Sequence, residues 1–196
     1  MQSAAAKATF PGILKEVLDV DCNLAIWERT PIADAASLLN GAIEDVRFNT
    51  ELVKLEQRLA SNLSSAGYDD GPARSVLIAD ITELAELYCS IMNLKELSVR
   101  IEVVTTDSCR KWHSDYVKAR LISTYVGPAT QWLDSANAEH VRGGEKPRQI
   151  NQMGTGDVGI FKGKLATDAP AIHRSPPIVG SGEKRLLLVL NPREER

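Results

Sequence analysis

Residues 110–115 read Arg110-Lys111-Trp112-His113-Ser114-Asp115, and the fold prediction for the whole chain depends on this stretch. His113 and Asp115 are two positions apart, so in an extended backbone their side chains leave the same face of a strand. An imidazole and a carboxylate on one face can bind the same ion. The stretch therefore predicts two ligands of one metal site.

A third candidate ligand is His173, within Ala171-Ile172-His173-Arg174 and 60 positions after His113. That separation allows several strands to bring His173 back beside the first pair. Two imidazoles and one carboxylate on one side of a metal leave other coordination positions open, as in non-haem Fe(II) oxygenases. His113, Asp115 and His173 are thus candidate metal ligands. The alternative is that the three side chains occupy unrelated polar positions.

The order of these residues resembles a known family. His113-x-Asp115, then His173, then the basic Arg185 in a following strand, is similar to the iron- and 2-oxoglutarate-dependent dioxygenases, which are built on a double-stranded β-helix. The segment Gly156-Asp157-Val158-Gly159-Ile160-Phe161 is similar to a strand of that family, and the resemblance covers roughly residues 99–192. The chain also resembles an uncharacterised bacterial family that carries Trp-His-Ser-Asp, Tyr-x-Gly-Pro and His-Arg-Ser-Pro-Pro motifs.

The resemblance implies Fe(II) and 2-oxoglutarate as cofactors and no catalytic residue beyond the metal ligands. Arg185 would bind the distal carboxylate of 2-oxoglutarate, and Tyr125 would hydrogen-bond the same carboxylate. An outward, solvated arginine and a plain core tyrosine are the simpler alternatives, although an inward guanidinium in an apolar strand would need an anionic partner. Leu187 departs from the family pattern, in which many members carry Ser or Thr two residues after the basic residue. That departure bears on the co-substrate and not on the metal.

Cys109 offers a different chemistry, because it lies four residues before His113. A Cys/His/Asp/His set would form a closed, tetrahedral zinc site. A non-redox, zinc-binding protein on the same scaffold is therefore the second candidate function, and an interaction module that has lost its metal is the third. The three cysteines are widely spaced without a Cys-x-x-Cys pair, which favours reduced thiols over a disulfide framework.

The first half of the chain has the periodicity of helices. A hydroxyl cap and a proline at Thr30-Pro31 predict a helix that continues to Val46, a second helix runs from Thr50 to Gly67, and a third covers residues 73–93. Residues 23–28 are a candidate short strand. These segments predict a helical layer of about three helices.

The second half alternates with a period of two and predicts strands. The candidate strands cover residues 97–103, 119–126, 158–162 and 185–190. Within them, Arg100 and Arg120 either pair with Glu102 or line the barrel. Helices first and strands after indicate an α+β fold. With the resemblance, this becomes an N-terminal helical layer packed on a double-stranded β-helix core of the jelly-roll, cupin-like type.

A length of 196 residues predicts a single domain. We divide it into a mobile tail (1–12), the helical layer (13–94) and the double-stranded β-helix core (95–192). The polar segment 134–148 contains almost no residues to bury. It is predicted to be a long mobile loop, and such loops are often lids.

Charge and hydropathy exclude several partners. Twenty-three basic and 26 acidic residues give a formal charge of −3, and no basic block interleaved with aromatic residues indicates nucleic-acid binding. No apolar run is long enough to span a membrane, and residues 1–11 lack the core of a signal peptide, so a cytoplasmic location is expected. The substrate, small molecule or protein, and the oligomeric state stay open.

Overall fold

The described residues, 4–193 of this computed structural model, form a mixed α/β fold around one large sheet. The strands are, in chain order, β1 (Ala4–Ala8), β2 (Cys22–Trp27), β3 (Val46–Glu51), β4 (Glu96–Val104), β5 (Ala119–Val126), β6 (Gln131–Trp132), β7 (Asn151–Gln152), β8 (Val158–Lys162), β9 (His173–Arg174) and β10 (Arg185–Pro192). The α-helices are α1 (Leu55–Ser65), α2 (Pro72–Met92) and α3 (Ser135–Arg142). Short 3-10 helices lie at Pro11–Leu18, Ala35–Leu39 and Leu52–Lys54.

Seven strands form the large sheet in the order β1-β2-β8-β5-β10-β4-β3, and three short strands form a second sheet in the order β7-β6-β9. The β1–β2 pair is parallel, and the other paired strands are antiparallel. The chain therefore crosses repeatedly between non-neighbouring strands, and residues distant in sequence become neighbours in the sheet.

The large sheet buries different residues on its two faces, because successive side chains of a strand point to opposite sides. On β10, Leu186 and Leu188 pack into the larger apolar cluster together with residues of α1 and α2. Leu187 and Val189 belong instead to a second cluster that includes Trp132 of the small sheet. One face of the large sheet is thus covered by helices, and the other faces the small sheet.

Five of the ten described strands and the long helix match predicted segments. β5 and β8 have the predicted bounds, β4 and β10 extend the predicted strands by one or two residues, and β2 lies within one residue of its prediction. The predicted helix over 73–93 is α2, which begins with Pro72 at its first position and ends at Asn93 in the left-handed conformation (φ 53°). Among residues 4–193, no helix combines the length and the apolar character needed to cross a membrane.

The helix predicted from Thr30-Pro31 to Val46 is wrong. Only Ala35–Leu39 form a short 3-10 helix, and positive φ angles at Asp34 (54°) and Gly41 (82°) interrupt a regular helix on either side. The helix predicted from Thr50 begins five residues later, at Leu55. In between, β3 has alternating buried and exposed side chains and pairs with β4 as the edge strand. The predicted helical layer over 13–94 therefore also contributes β2 and β3 to the large sheet.

Two segments predicted to be mobile have regular structure. Residues 4–8 of the predicted tail form β1, while residues 1–3 lie outside the described range. The predicted loop 134–148 contains α3, whose N-cap Asp134 accepts a hydrogen bond at Oδ1 from the backbone N–H of Asn137 (2.8 Å). The Asp134 cap was the signal for this helix, and the lack of apolar residues obscured it.

Candidate metal centre

Backbone hydrogen bonds place the two candidate histidine ligands side by side. The N–H of His113 donates to the carbonyl of His173 (3.0 Å), and the N–H of His173 donates to the carbonyl of His113 (2.9 Å). Residues paired in this way have side chains on the same side of a ladder. The imidazole centroids lie 4.6 Å apart. The 60-residue separation in sequence is thus closed by one antiparallel bridge that extends the small sheet.

Asp115 completes a cluster of three ligand atoms. One ligand atom each from His113, Asp115 and His173 lie within 4.8 Å of one another. Asp115 Oδ2 is buried and accepts no hydrogen bond among the described residues, although it lies 3.4 Å from His173 Nε2. A buried carboxylate oxygen without a hydrogen bond is costly unless a cation completes it. The residues present therefore fit a metal ion.

The histidines are held with one ring nitrogen turned away from the cluster. His113 Nδ1 lies 2.9 Å from the carbonyl of Lys111, and His173 Nδ1 lies 3.3 Å from the carbonyl of Ala171. A carbonyl can only accept, so in each ring Nδ1 carries the proton and Nε2 is free to bind a metal. Burial lowers the pKa of His173 to about 4, against the opposing effect of Asp115, so this imidazole is neutral at pH 7.

Arg120 holds Asp115 in place from the large sheet. The guanidinium NH1 donates to Asp115 Oδ1 (2.5 Å), and its Nε donates to Asn191 Oδ1 (2.7 Å). One carboxylate oxygen is thus bound by Arg120, and the other faces the two imidazoles. Gly163 allows the Asp115 segment to approach β8, because a Cβ at this position would lie 2.8 Å from the Asp115 carbonyl. The sequence left Arg120 between pairing with Glu102 and lining the barrel, and its partner is the predicted ligand Asp115.

Arg185 points inward from the start of β10 and is fully buried. Its Nε donates to the carbonyl of Pro128 (2.6 Å), NH1 donates to Ser175 Oγ (2.8 Å), and NH2 lies 3.5 Å from Thr124 Oγ1. Within residues 4–193, no carboxylate forms a salt bridge with it. Burial lowers the pKa of Arg185 to about 10, against the opposing charge of Glu102, so it remains protonated at pH 7. Among the described residues, this buried cation has no carboxylate in direct contact.

The interpretation of Tyr125 as a second contact for the same carboxylate requires correction. Its hydroxyl donates to Asp80 Oδ2 (2.6 Å) on α2, and its ring packs in the cluster on the helical face of the large sheet. Thr124, the preceding residue, faces Arg185 instead, since neighbouring side chains of a strand point to opposite sides. Asp80 also binds Arg29 through a bidentate pair (2.5 and 2.9 Å). Tyr125 therefore links the sheet to α2.

Tyr125→Phe should destabilise the fold without changing the affinity for 2-oxoglutarate. The substitution removes a buried hydrogen bond to a charged group, which contributes roughly 1.5–3 kcal/mol. Chemical denaturation measures the first effect and calorimetry the second. Tyr116→Phe is the matched control, because Tyr116 is 78% exposed and should tolerate the change. A loss of co-substrate affinity in Tyr125→Phe with unchanged stability would restore the original interpretation.

Cys109 lies near the centre but outside the ligand cluster. The group that could hold a metal consists of His113, Asp115 and His173, and Cys109 is exposed. Its carbonyl accepts a hydrogen bond from the N–H of Ser175 (3.0 Å), next to the side chain that contacts Arg185. Cys109 thus lines a pocket together with His113, His173 and Ser175, and the structure does not support it as a fourth ligand.

The fold is similar to that of solved dioxygenases. The dioxygenase for auxin oxidation 1 from Arabidopsis thaliana, solved with 2-oxoglutarate, aligns over 98% of this chain and 92% of its own, with a TM-score of 0.57 and 7% identity. The rice dioxygenase for auxin oxidation aligns over 96% and 83%, with a TM-score of 0.50 and 13% identity. At these identities the likeness establishes the fold alone. The resemblance to dioxygenases noted in the sequence is confirmed at that level, and the His-Asp-His triad is present.

Residues 8–191 match the family described as protein of unknown function (DUF1826), and the chain belongs to that family. No curated protein matches the sequence significantly. Because the family description assigns no reaction, the functional conclusion rests on the residues of the site.

Proposed function

We propose that this protein is a non-haem Fe(II)- and 2-oxoglutarate-dependent oxygenase whose two sheets form a double-stranded β-helix. The observation that carries the proposal is that two buried charged groups of this fold each lack a partner. The triad of His113, Asp115 and His173 is an open three-ligand set with an unsatisfied carboxylate oxygen. Arg185 is a fully buried cation with no carboxylate partner among residues 4–193. A metal ion would bind the carboxylate oxygen of Asp115, and a carboxylate co-substrate would pair with Arg185.

The triad would hold Fe(II), because two imidazoles and one carboxylate on one side of an ion suit this metal and leave positions for ligands. Bound there with 2-oxoglutarate and O2, the metal supplies oxidation of a substrate coupled to decarboxylation of the co-substrate. The chain's own contribution is geometry. Arg120 fixes the Asp115 carboxylate through Oδ1, and the carbonyls of Lys111 and Ala171 fix the ring orientations.

Arg185 would bind the distal carboxylate of 2-oxoglutarate. Its planar guanidinium offers parallel N–H groups that match a carboxylate, and burial makes such a charge-assisted pair stronger than in water. Pro128, Ser175 and Thr124 hold the guanidinium in one orientation before the co-substrate arrives. At the position of Leu187, many Fe(II)- and 2-oxoglutarate-dependent dioxygenases have a hydroxyl side chain. Leu187 offers no polar contact, and the hydroxyls beside Arg185 come from Thr124 and Ser175 instead.

A zinc-binding protein is the second candidate, with the same three ligands. Cys109 was the residue that favoured zinc, and it lies outside the ligand cluster. A closed structural zinc site has four protein ligands, whereas three ligands leave the site open. The described residues thus favour a reactive centre over a structural one.

The test is whether 2-oxoglutarate binding depends on the metal. We expect calorimetry under anaerobic conditions to detect 2-oxoglutarate binding to the Fe(II)-loaded protein and at least about ten-fold weaker binding to the metal-free protein. The analogue N-oxalylglycine should compete in the first case. Equal affinity with and without metal, or no binding in either state, would leave the dioxygenase proposal without support.

A further inference from the structure

The pocket lined by the two triad histidines also includes residues of β4, the strand next to the edge of the large sheet. Besides His113 and His173, its wall includes Arg100 and Glu102 of β4. Arg120 and Arg174 also line it. Three arginines and one carboxylate, that of Glu102, thus line the pocket, and one of the arginines, Arg120, is paired with Asp115. A site with this balance attracts anions.

Arg100 is the cation of this pocket with incomplete hydrogen bonding. Its Nε is buried and makes no hydrogen bond among the described residues. Glu102 Oε1 lies 3.5 Å from it, but the same oxygen accepts a hydrogen bond from Arg47 NH2 at 2.8 Å. Arg47 pairs with Arg100 across the β3–β4 ladder and makes the shorter contact with Glu102, so the ion pair between Arg100 and Glu102 is the longer of the two. The guanidinium of Arg100 thus has a long ion pair but an unsatisfied Nε–H, which a ligand could bind.

Arg100 and Arg185 mark two separate anion positions. In the β4–β10 ladder Arg185 pairs with Val104 and Val189 pairs with Arg100. The two arginines are thus four registers apart, about 13 Å along the strands. Glu102 lies between them, opposite Leu187, and its negative charge would oppose a single dianion bridging both. A single small ligand would therefore bind one of these arginines and not both.

The surface beside Arg100 is apolar. Leu187 and Val189 of β10 and Ile122 of β5 line the same pocket and belong to one buried cluster. A ligand that binds Arg100 would thus place an anionic group on the guanidinium and a short apolar body against these side chains. A guanidinium fork matches a planar carboxylate, and phosphate lacks an apolar body for this wall.

We propose that Arg100 binds the carboxylate of a small, partly apolar organic acid, which is the substrate class of this metal centre. The inference rests on the proposed function, since it assigns Arg185 to the co-substrate and Arg100 to the substrate. Arg100 and Arg120 line the same pocket, so an anion bound to Arg100 would also be near the positive charge of Arg120.

The test uses the Fe(II)- and 2-oxoglutarate-loaded protein under anaerobic conditions. Butyrate and benzoate are titrated by calorimetry against their neutral amides, butyramide and benzamide, and against inorganic phosphate. We expect at least one of the two acids to bind about ten-fold or more tightly than its amide and than phosphate. Arg100→Gln should weaken that acid by about ten-fold or more while changing the affinity for 2-oxoglutarate less than about two-fold. Arg193→Gln is the matched control, because Arg193 is an exposed arginine that pairs with Glu96 and does not line this pocket, and it should change neither affinity.

Several outcomes would overturn the inference. They are failure of both acids to bind, equal binding of acid and amide, tighter binding of phosphate, or unchanged acid affinity in Arg100→Gln. Loss of 2-oxoglutarate affinity in Arg100→Gln would assign Arg100 to the co-substrate instead. If the wild type binds no 2-oxoglutarate, the proposed function fails separately. The acid titrations are then repeated on the metal-loaded protein, where the same loss in Arg100→Gln supports the anion site and its absence overturns it.

Discussion

His173→Ala and His113→Ala should each abolish stoichiometric metal binding. Each substitution removes one of three ligand atoms that lie within 4.8 Å of one another, and no other described side chain joins that cluster. Losing a residue that merely orients a ligand already costs about 10–100-fold in affinity, so losing a ligand should cost about 100-fold or more. Elemental analysis after anaerobic loading and gel filtration measures the effect.

His140→Ala is the matched control, because it removes the one remaining histidine of the chain. His140 lies on α3, is hydrogen-bonded to Glu145 and is not part of the ligand cluster. The control should retain full metal occupancy, and circular dichroism should show that all three variants remain folded. Full occupancy in both His173→Ala and His113→Ala would remove the proposed metal site.

Arg185→Ala should weaken 2-oxoglutarate binding by well over ten-fold while leaving the metal in place. Truncating one side of a buried charge pair costs on the order of 2–5 kcal/mol, because the other charge remains buried without its partner. Calorimetry with the anaerobic Fe(II) protein gives the dissociation constant, and elemental analysis verifies the iron. Unchanged affinity in an iron-loaded Arg185→Ala protein would contradict the role of Arg185.

Arg185 also holds Pro128 and Ser175, so its removal affects the structure around β10. Arg185→Lys addresses this, because it keeps a positive charge and most of the apolar side chain but loses the planar fork. We expect Arg185→Lys to bind 2-oxoglutarate more weakly than the wild type and more tightly than Arg185→Ala. Lys184→Ala, at the exposed neighbouring position, is the control and should not change the affinity.

The cluster of His113, Asp115 and His173 was predictable only in part from a local signal. In an extended backbone a His-x-Asp spacing places both side chains on one face, whereas the choice of His173 depended on the resemblance to a family. The Arg120–Asp115 pair was not predictable. β5 is buried on both faces, so its sequence does not indicate which residues face the site. The same ambiguity led to the interpretation of Tyr125, whose neighbour Thr124 faces Arg185 instead.

The helix predicted from Thr30-Pro31 to Val46 failed for two reasons. The apolar residues from Leu38 to Ile43 fit a helical spacing, but the positive φ angles of Asp34 and Gly41 interrupt a regular helix. Val46 belongs instead to β3, which alternates strictly and is part of the sheet. Pairing with β4 decides in favour of the strand, and that pairing depends on residues about 50 positions away. A local sequence pattern does not indicate which distant strand a segment will pair with. The prediction of α2, by contrast, needed only its Pro72 start and its apolar stripe.

The most direct measurement is the visible absorption of the anaerobic Fe(II) protein on addition of 2-oxoglutarate. If the triad holds iron and Arg185 receives the distal carboxylate, the weak charge-transfer band of a chelated 2-oxo acid should appear. It should be lost in His173→Ala, and N-oxalylglycine should compete with 2-oxoglutarate for the site. Iron-loaded wild-type protein that shows neither the band nor any competition would contradict the oxygenase proposal.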